Sequence, residues 1–485
     1  MGFLGSLFGK KKSAPAPAAA EVAKDPVPPL AAGFYRVPMV RFENESPQTL
    51  TWREVVLDGK RLLDCVGFTD RKTKKVSIGV RTGRRFETEE AARAEFETRV
   101  TQKNQWQGRR DDRPRDLPLP RWNPPPAPSI NVELEARVDA SSGAAFEAEA
   151  RVYSDWLQSQ GDPRGELAAL IQAGTSPDAF LAANGEAIFG ELDVLVGWAI
   201  SELEWRGGLL HGATLNIRDW EGQTLAGLPE LAEAFLKLPV ARFVRSLRFG
   251  LSNFEGANDW GPVLQAVGRS VRGPFITSIR CDAYEYTDSE ISWTNFGDLS
   301  ACWAGLPALE TLVIRAGADG ELGELVLPSL RSLKFESGGM DVSVLDSIVR
   351  AKWPNLERLE VWTGNPGYGA TVNIDQIERL LSSPLPKLKH LGIVNSELGA
   401  ASLSLLVKSK LFAQLESLDL SLGILSYDNV ELLLGLAPQL NKLSSINLRE
   451  NLFTRDAVEK LKAALPKADL GEQRESQYRY VAVGE

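Results

Sequence analysis

One hydrophobic phrase recurs through the rear half of the chain. Large apolar residues fall in the pattern L-x-x-L-x-x-L-x-L, read as Leu306-Pro-Ala-Leu309-Glu-Thr-Leu312-Val-Ile314 and again as Leu327-Pro-Ser-Leu330-Arg-Ser-Leu333-Lys-Phe335. Further copies occupy residues 353–361, 385–393, 412–420 and 440–448. Looser ones centre on Leu215/Ile217, Leu247/Phe249 and Ile279/Cys281, and a worn copy ends at Leu470. The closing L-x-L has the period of two that a strand needs, with its apolar residues on one side and the middle residue on the other. Between copies the apolar spacing changes to three and four, which predicts helices over 342–350, 374–381, 401–408, 429–436 and 456–465. One such unit cannot bury its apolar face alone, so neighbours must stack and extend a parallel sheet.

The phrase resembles the leucine-rich repeat, at a spacing of roughly 21 to 33 residues. Its long intervening helices resemble the ribonuclease-inhibitor type. The resemblance implies an α/β solenoid over 206–485, a horseshoe with the parallel sheet inside and helices outside, whose concave face binds. The middle positions of the phrase are Asn216, Arg248, Arg280, Val313, Lys334, Glu360, Gly392, Asp419 and Asn447. Flanking positions add Arg218, Arg315, Glu336, Trp362, His390 and Arg449. Early copies present basic residues and later ones acidic residues, a polarity suited to a protein partner of complementary charge. Trp362 opens the stretch W-T-G-N-P-G-Y-G, where an exposed aromatic in a mobile loop makes a natural anchor.

The front of the chain reads differently. Residues 34–108 predict a small α+β unit, with strands over 36–42, 50–57, 61–68 and 75–80, an Asp58-Gly59 turn and a helix over 88–103. Between Phe34 and Arg121 there are 20 Lys/Arg against 14 Asp/Glu, so this part carries +6 within a chain of net −9. Arg41-Phe42, Trp52, Glu54, Leu57-Asp58-Gly59, Gly67 and the run from Phe86 through Thr88 to Ala91, with Phe96 and Lys103, resemble the WGR domain. That module contacts DNA ends and neighbouring domains in poly(ADP-ribose) polymerases. Here the triad that names the family falls at Val66-Gly67-Phe68, where only the glycine remains. The basic residues Arg71, Lys72, Lys74, Lys75, Arg81, Arg84, Arg85, Arg109 and Arg110 supply the alternative function, nucleic-acid binding by this module.

The flanking segments complete the division. Residues 1–33 read as a head with Phe3, Leu4, Leu7 and Phe8 before Lys10, Lys11 and Lys12, then an Ala/Pro tether; at most the first twelve residues touch a membrane surface. Residues 109–130 read as a linker dense in Pro and Arg, and 131–205 as helical. In the latter, Phe146, Ala150, Tyr153, Trp156 and Leu157 share one helical face, and Asp162 with Pro163 opens the next helix. Tyr153-x-Asp155-Trp156-Leu157 and Gly161-Asp162-Pro163-Arg164-Gly165-Glu166 resemble the repeat-companion segment found ahead of leucine-rich repeats in myxobacterial and planctomycete proteins. A cap on the first repeat is the role this implies.

The remaining chemistry is sparse. Cys65, Cys281 and Cys302 form neither a disulfide framework nor a zinc pattern, and the two histidines, His211 and His390, sit in no nucleophile or metal motif. Neither a phosphate loop nor a dinucleotide fingerprint is present, so no cofactor is expected. No run of apolar residues is long enough to cross a bilayer and no secretory signal opens the chain, which makes a reducing cytoplasm the default compartment. The expectation is a non-catalytic scaffold.

Overall fold

The computed structural model describes residues 34–74, 76–101, 109–118, 127–217, 227–252, 258–286, 288–475 and 479–484. The head and tether at 1–33, with the expected membrane contact, lie outside them, as do Lys75 and Arg218. The fold is mixed α/β, dominated by one 11-stranded sheet that is not closed into a barrel.

The strands of that sheet lie side by side in chain order: Ile200–Arg206, Leu209–Leu215, Ser246–Phe249, Ser278–Cys281, Thr311–Arg315, Ser332–Glu336, Arg358–Gly364, His390–Ser396, Ser417–Asp419, Ser445–Asn447 and Ala468–Asp469. Only the first pair is antiparallel. Register aligns the apolar positions of the phrase into columns. Ala213, Leu247, Ile279, Leu312, Leu333, Leu359, Leu391, Leu418, Ile446 and Ala468 are successive cross-strand partners. A second column, Leu215, Phe249, Cys281, Ile314, Phe335, Val361 and Ile393, runs beside it. All members but Ala468 are buried, and each large one contributes roughly 1.5–3 kcal/mol by leaving water.

Helices cover the apolar face. Leu228–Leu236, Gly261–Arg269, Val342–Arg350, Ile374–Ser382, Gly399–Leu406, Val430–Leu440 and Arg455–Ala464 turn their apolar stripes inward. Local chemistry sets their starts: Asp341 accepts from Ser343 N, Thr454 accepts from Ala457 N, and Asn373 forms a capping box with Gln376. The units around Thr311–Arg315 have no α-helix. The interval between the copies at 306–314 and 327–335 is too short for one, and a two-residue parallel pair, Gly297–Asp298 against Gly320–Glu321, takes its place.

Three sequence expectations need correction. The first copy is displaced by two residues: Ala213 and Leu215 are its inward pair, so Thr214 partners Arg248, while Asn216 is buried beyond the strand. The segment 131–205 is not all helix, because it ends in the strand Ile200–Arg206, which closes the sheet's first edge as a hairpin. The stretch 109–130 is not simply a linker. Arg109–Asp111 adds an edge strand beside Met39–Glu45, and Arg115–Pro118 pairs with Phe34–Val37. The front module therefore holds a five-stranded antiparallel sheet, of which Thr49–Asp58, Arg61–Asp70 and Val76–Arg85 are the other members, packed under the helix Glu89–Thr101.

Four helices, Val132–Ala140, Gly143–Ser159, Pro163–Gln172 and Asp178–Phe189, join this module to the long sheet. Phe146, Ala150, Tyr153 and Leu157 pack with Leu209 and Phe243 of the sheet's first unit. Asp162 caps the third helix and is forked by Arg164, with Nε–Oδ1 at 2.9 Å and Nη2–Oδ2 at 2.7 Å. Burial works against both charges, yet these bonds outweigh it and hold the Asp162 carboxyl below its ordinary range. Arg164 also donates to Ser129 O and Pro239 O, tying three segments together. Gly165 is required, since a Cβ there would lie 2.4 Å from Gln158 N. On the other side Arg61 meets the buried Asp193 at 3.0 Å, Arg85 pairs with Glu186, and Gly83 lies against Val194 O.

His211 lies within the strand Leu209–Leu215. Its ring meets Phe146 edge-on at 5.7 Å. Burial, with help from Arg206 and Arg245, lowers its pKa to about 4. The unfolded chain therefore binds the proton more readily, and His211 makes stability fall as pH drops from about 6.5 to about 4, by about 1–3 kcal/mol. In H211Q this part of the pH dependence disappears; parallel urea-unfolding curves for the two proteins between pH 7 and 4 would contradict it. The alternation predicts a second contrast. L359A, which empties a fully buried position, costs about 2–5 kcal/mol, while E360A, one residue on and facing outward, costs about 1 kcal/mol or less. Urea midpoints of the two variants check it.

Candidate binding face

The same register that stacks the core aligns a column on the opposite face. Thr214, Arg248, Arg280, Val313, Lys334, Glu360, Gly392, Asp419, Asn447 and Asp469 are successive partners across ten strands. Parallel sheets are ordinarily covered on both faces. Here the second face carries side chains left part-exposed, Arg248 at 33%, Lys334 at 30% and Arg280 at 43%. This is the surface that the sequence picks out.

These groups pair with one another. Arg248 donates to Asp282 Oδ1 at 2.7 Å and to Glu202 Oε2 at 3.1 Å, while Thr214 donates to the same Glu202 oxygen at 2.6 Å. Arg280 binds the other oxygen of Asp282. Two strands on from Arg280, Lys334 sits between Glu336 at 2.7 Å and Glu360 at 3.0 Å, with its ammonium 5.3 Å from the Trp362 ring centre. Burial opposes that charge, but the two carboxylates outweigh it and raise the Lys334 pKa. Trp362 Nε1 donates to Glu360 Oε1 at 2.8 Å, and Arg315 lies over Tyr284 and 3.8 Å from Glu336. Val313 is buried between the two networks.

The later strands carry smaller clusters. Nδ1 of His390 is 2.6 Å from Ser417 Oγ, and partial burial, with Arg358 and Lys389 nearby, lowers its pKa. Asp419 accepts from Asn447 Nδ2 and from Ser421. Arg449 is exposed, 3.6 Å from Asp469.

Two expectations change. Trp362 is not on a mobile loop; it belongs to the strand Arg358–Gly364 and is half-buried. The basic early half is neutralised by Glu202, Asp282 and Glu336, so the face is a lattice of mixed charge. Asp282 directly follows a closing L-x-L, as Arg315, Glu336 and Trp362 do, and that shared position was the signal for it. Glu202 lies on the antiparallel edge strand, outside the phrase, and carried no signal.

Among the described residues, the basic side chains of the front module form no single patch. Arg71, Lys72 and Lys74 occupy the tip of the hairpin made by Arg61–Asp70 and Val76–Arg85, whereas Arg84 and Arg85 stand at its opposite end, about 30 Å away. Arg84 covers the Phe86 ring, Arg85 is turned to Glu186, and Arg71 donates to Ser46 O. Arg109 and Arg110 belong to the far edge strand, where Arg110 pairs with Asp112 and donates to Val100 O. The backbone of Arg81 lies within Val76–Arg85. Among the described residues no group of three His, Cys, Asp or Glu is placed to hold a metal, and no helix is long and apolar enough to cross a membrane. Cys281 is a core residue whose thiol is pushed well up by burial, and burial pushes that of Cys302 up to about 12.

No family model matches the chain, and no curated protein matches it. A crystal structure of a Bacteroides fragilis protein is similar to it over 92% of this chain and 99% of that one, with a TM-score of 0.52 and 18% identity. At that identity the likeness concerns the mixed α/β fold alone.

Proposed function

We propose that this chain is a non-catalytic scaffold of the leucine-rich-repeat type, related to the ribonuclease-inhibitor form, that binds a protein partner through the outward face of its long sheet. The observation that carries the reading is a parallel sheet with one face part-open and lined by pre-paired polar side chains. The Arg248 and Lys334 ends of these bridges are 33% and 30% exposed, so a partner's groups can reach them, while the Asp282, Glu336 and Glu360 carboxylates beneath are largely buried. The bonds also hold each side chain near one rotamer, which lowers the ordering cost of binding. Trp362, flanked by Lys334 and Glu360 on the seventh of the eleven strands, has the character and central place of a binding anchor.

In this reading the helices from Val132 to Phe189 are a repeat-companion cap, and the front unit is a WGR-like domain. Its shared residues serve its own interior: Trp52, Phe42 and Phe96 are buried, and Arg41 joins Glu54 while lying 4.9 Å from the Trp52 ring centre. The division of its arginines among separate internal contacts favours the protein-binding role over the nucleic-acid one.

The test is affinity capture with the whole chain, followed by titration of the captured protein against variants. W362A and the double variant R248E/R280E weaken binding at least tenfold, whereas R455E, on the helical side, leaves it unchanged. Equal binding by all of them, or retention on DNA that falls steeply with salt and survives the face variants, would overturn the reading.

A further inference from the structure

A second surface lies beyond the carboxyl ends of the later strands. In three successive copies of the phrase the residue two places after the closing L-x-L is Asn395, Leu422 or Glu450, and each has a positive φ, of 47°, 61° and 52°. None is a glycine, so each carries backbone strain of the kind that gathers at ligand clamps. Leu422 and Asn395 meet the segment 479–484 that returns across them, and Glu450 meets Arg474 upstream of it. Glu450 O accepts from Arg474 Nε, Leu422 O accepts from Ala482 N at 2.8 Å, and Asn395 grips Val483.

The Asn395 contact reads peptide backbone. Its Oδ1 accepts from Val483 N at 2.8 Å and its Nδ2 donates to Val483 O at 2.6 Å, the two-way exchange that a neighbouring strand would make. The side chain is fully buried, and Nδ2 also reaches Ser337 O at 3.2 Å. Around it the returning segment alternates: Tyr480 is half-exposed, Val481 is buried, and Gly484 passes so near Tyr368 that a Cβ would lie 2.1 Å from the ring. Gly338 is equally constrained, its Cβ position lying 2.5 Å from Gly484 O. Arg474, which donates to Gly423 O and Tyr480 O, anchors the segment from upstream.

We propose that this groove is a peptide-binding site, distinct from the outward face of the sheet, whose resident ligand is the chain's own segment 479–484. Its ligands are extended peptides read through the main chain by Asn395 and Leu422, with a small branched apolar residue in the Val481 position and a glycine three residues later. The resident is held by its main-chain hydrogen bonds, one buried side chain and the pairing of Arg479 with Asp428 and Ser426, all of them outside the stacked core, so its release is a local opening that leaves that core in place. A segment of the same pattern on another protein adds to the strand ends in its stead.

The test uses a capped, fluorescently labelled peptide of residues 479–484 (Arg-Tyr-Val-Ala-Val-Gly) and the chain shortened to end at residue 478. By anisotropy the shortened chain binds the peptide saturably, at least ten times more tightly than the full chain does. N395L in the shortened chain abolishes the binding, and so does proline at the Val483 position of the peptide, which removes the donor to Asn395. A folded shortened chain that ignores the peptide, or binding that N395L leaves unchanged, overturns the proposal. Should the shortened chain fail to fold, full-length V483P, with its resident released, makes the same comparison, and failure of the peptide to bind there overturns the proposal as well.

Discussion

Everything in the larger part of this molecule depends on one packing constraint: an inward apolar residue on each strand must rest on its equivalents in the strands before and after. A single L-x-L strand with its helix buries too little surface to stand alone. Ten strands in parallel register build an unbroken column from Ala213 to Ala468, and the helices or turns that close each unit are positioned by the need to cover it. Side-chain size is nearly constant within the column, leucine or isoleucine on every strand but the two at its ends, where alanine stands. The covering layer is the more tolerant part, since the middle units replace a helix by 3-10 turns and a short strand pair without interrupting the stack.

A stack of this kind has two open edges, and each is treated differently. At the first, the antiparallel strand Ile200–Arg206 and the helices before it cover the edge, and the Asp162–Arg164 fork ties them to Ser129 and Pro239. Breaking such a buried pair from one side leaves the other charge without compensation, which costs several kcal/mol. The fork is therefore a structural rivet in spite of its polar chemistry. At the second edge the last strand is two residues long, too short to template further pairing, and the chain then turns back over the loops of the preceding units.

The repeated phrase made the parallel strands, their order and most of their helices legible, because apolar periodicity and burial are the same fact seen twice. Val342–Arg350 was readable to the residue. The misread parts lack that link. Arg109–Asp111 and Arg115–Pro118 are edge strands whose pairing rests on backbone bonds, so their Pro/Arg-rich sequence resembles a linker. The first copy slipped by two because Leu215 and Ile217 fit the phrase as well as Ala213 and Leu215 do; only the pairing with Leu247 and Phe249 decides. For the candidate face, the sequence placed Arg248, Arg280, Lys334, Glu360 and Trp362 on one side. It could not disclose that Glu202 and Asp282 would both pair with Arg248, since a cross-strand ion pair is a property of register and not of spacing along the chain.

Core and face are thereby one design constraint. The parallel register that sets Leu333 beside Leu359 also sets Lys334 beside Glu360, on strands about 4.8 Å apart, and this closeness is what lets their charges meet. A slip of one residue in any strand would exchange its two faces, driving a charged side chain into the column and an apolar one out of it. The cost of that exchange, a buried charge added to lost apolar burial, far exceeds what any exposed ion pair supplies. The pairs on the outward face are accordingly free to be weak: their positions are enforced from beneath by the core, and their own bonds need only select among rotamers. A surface held in this way can exchange its internal partners for those of another molecule without disturbing the fold that presents it.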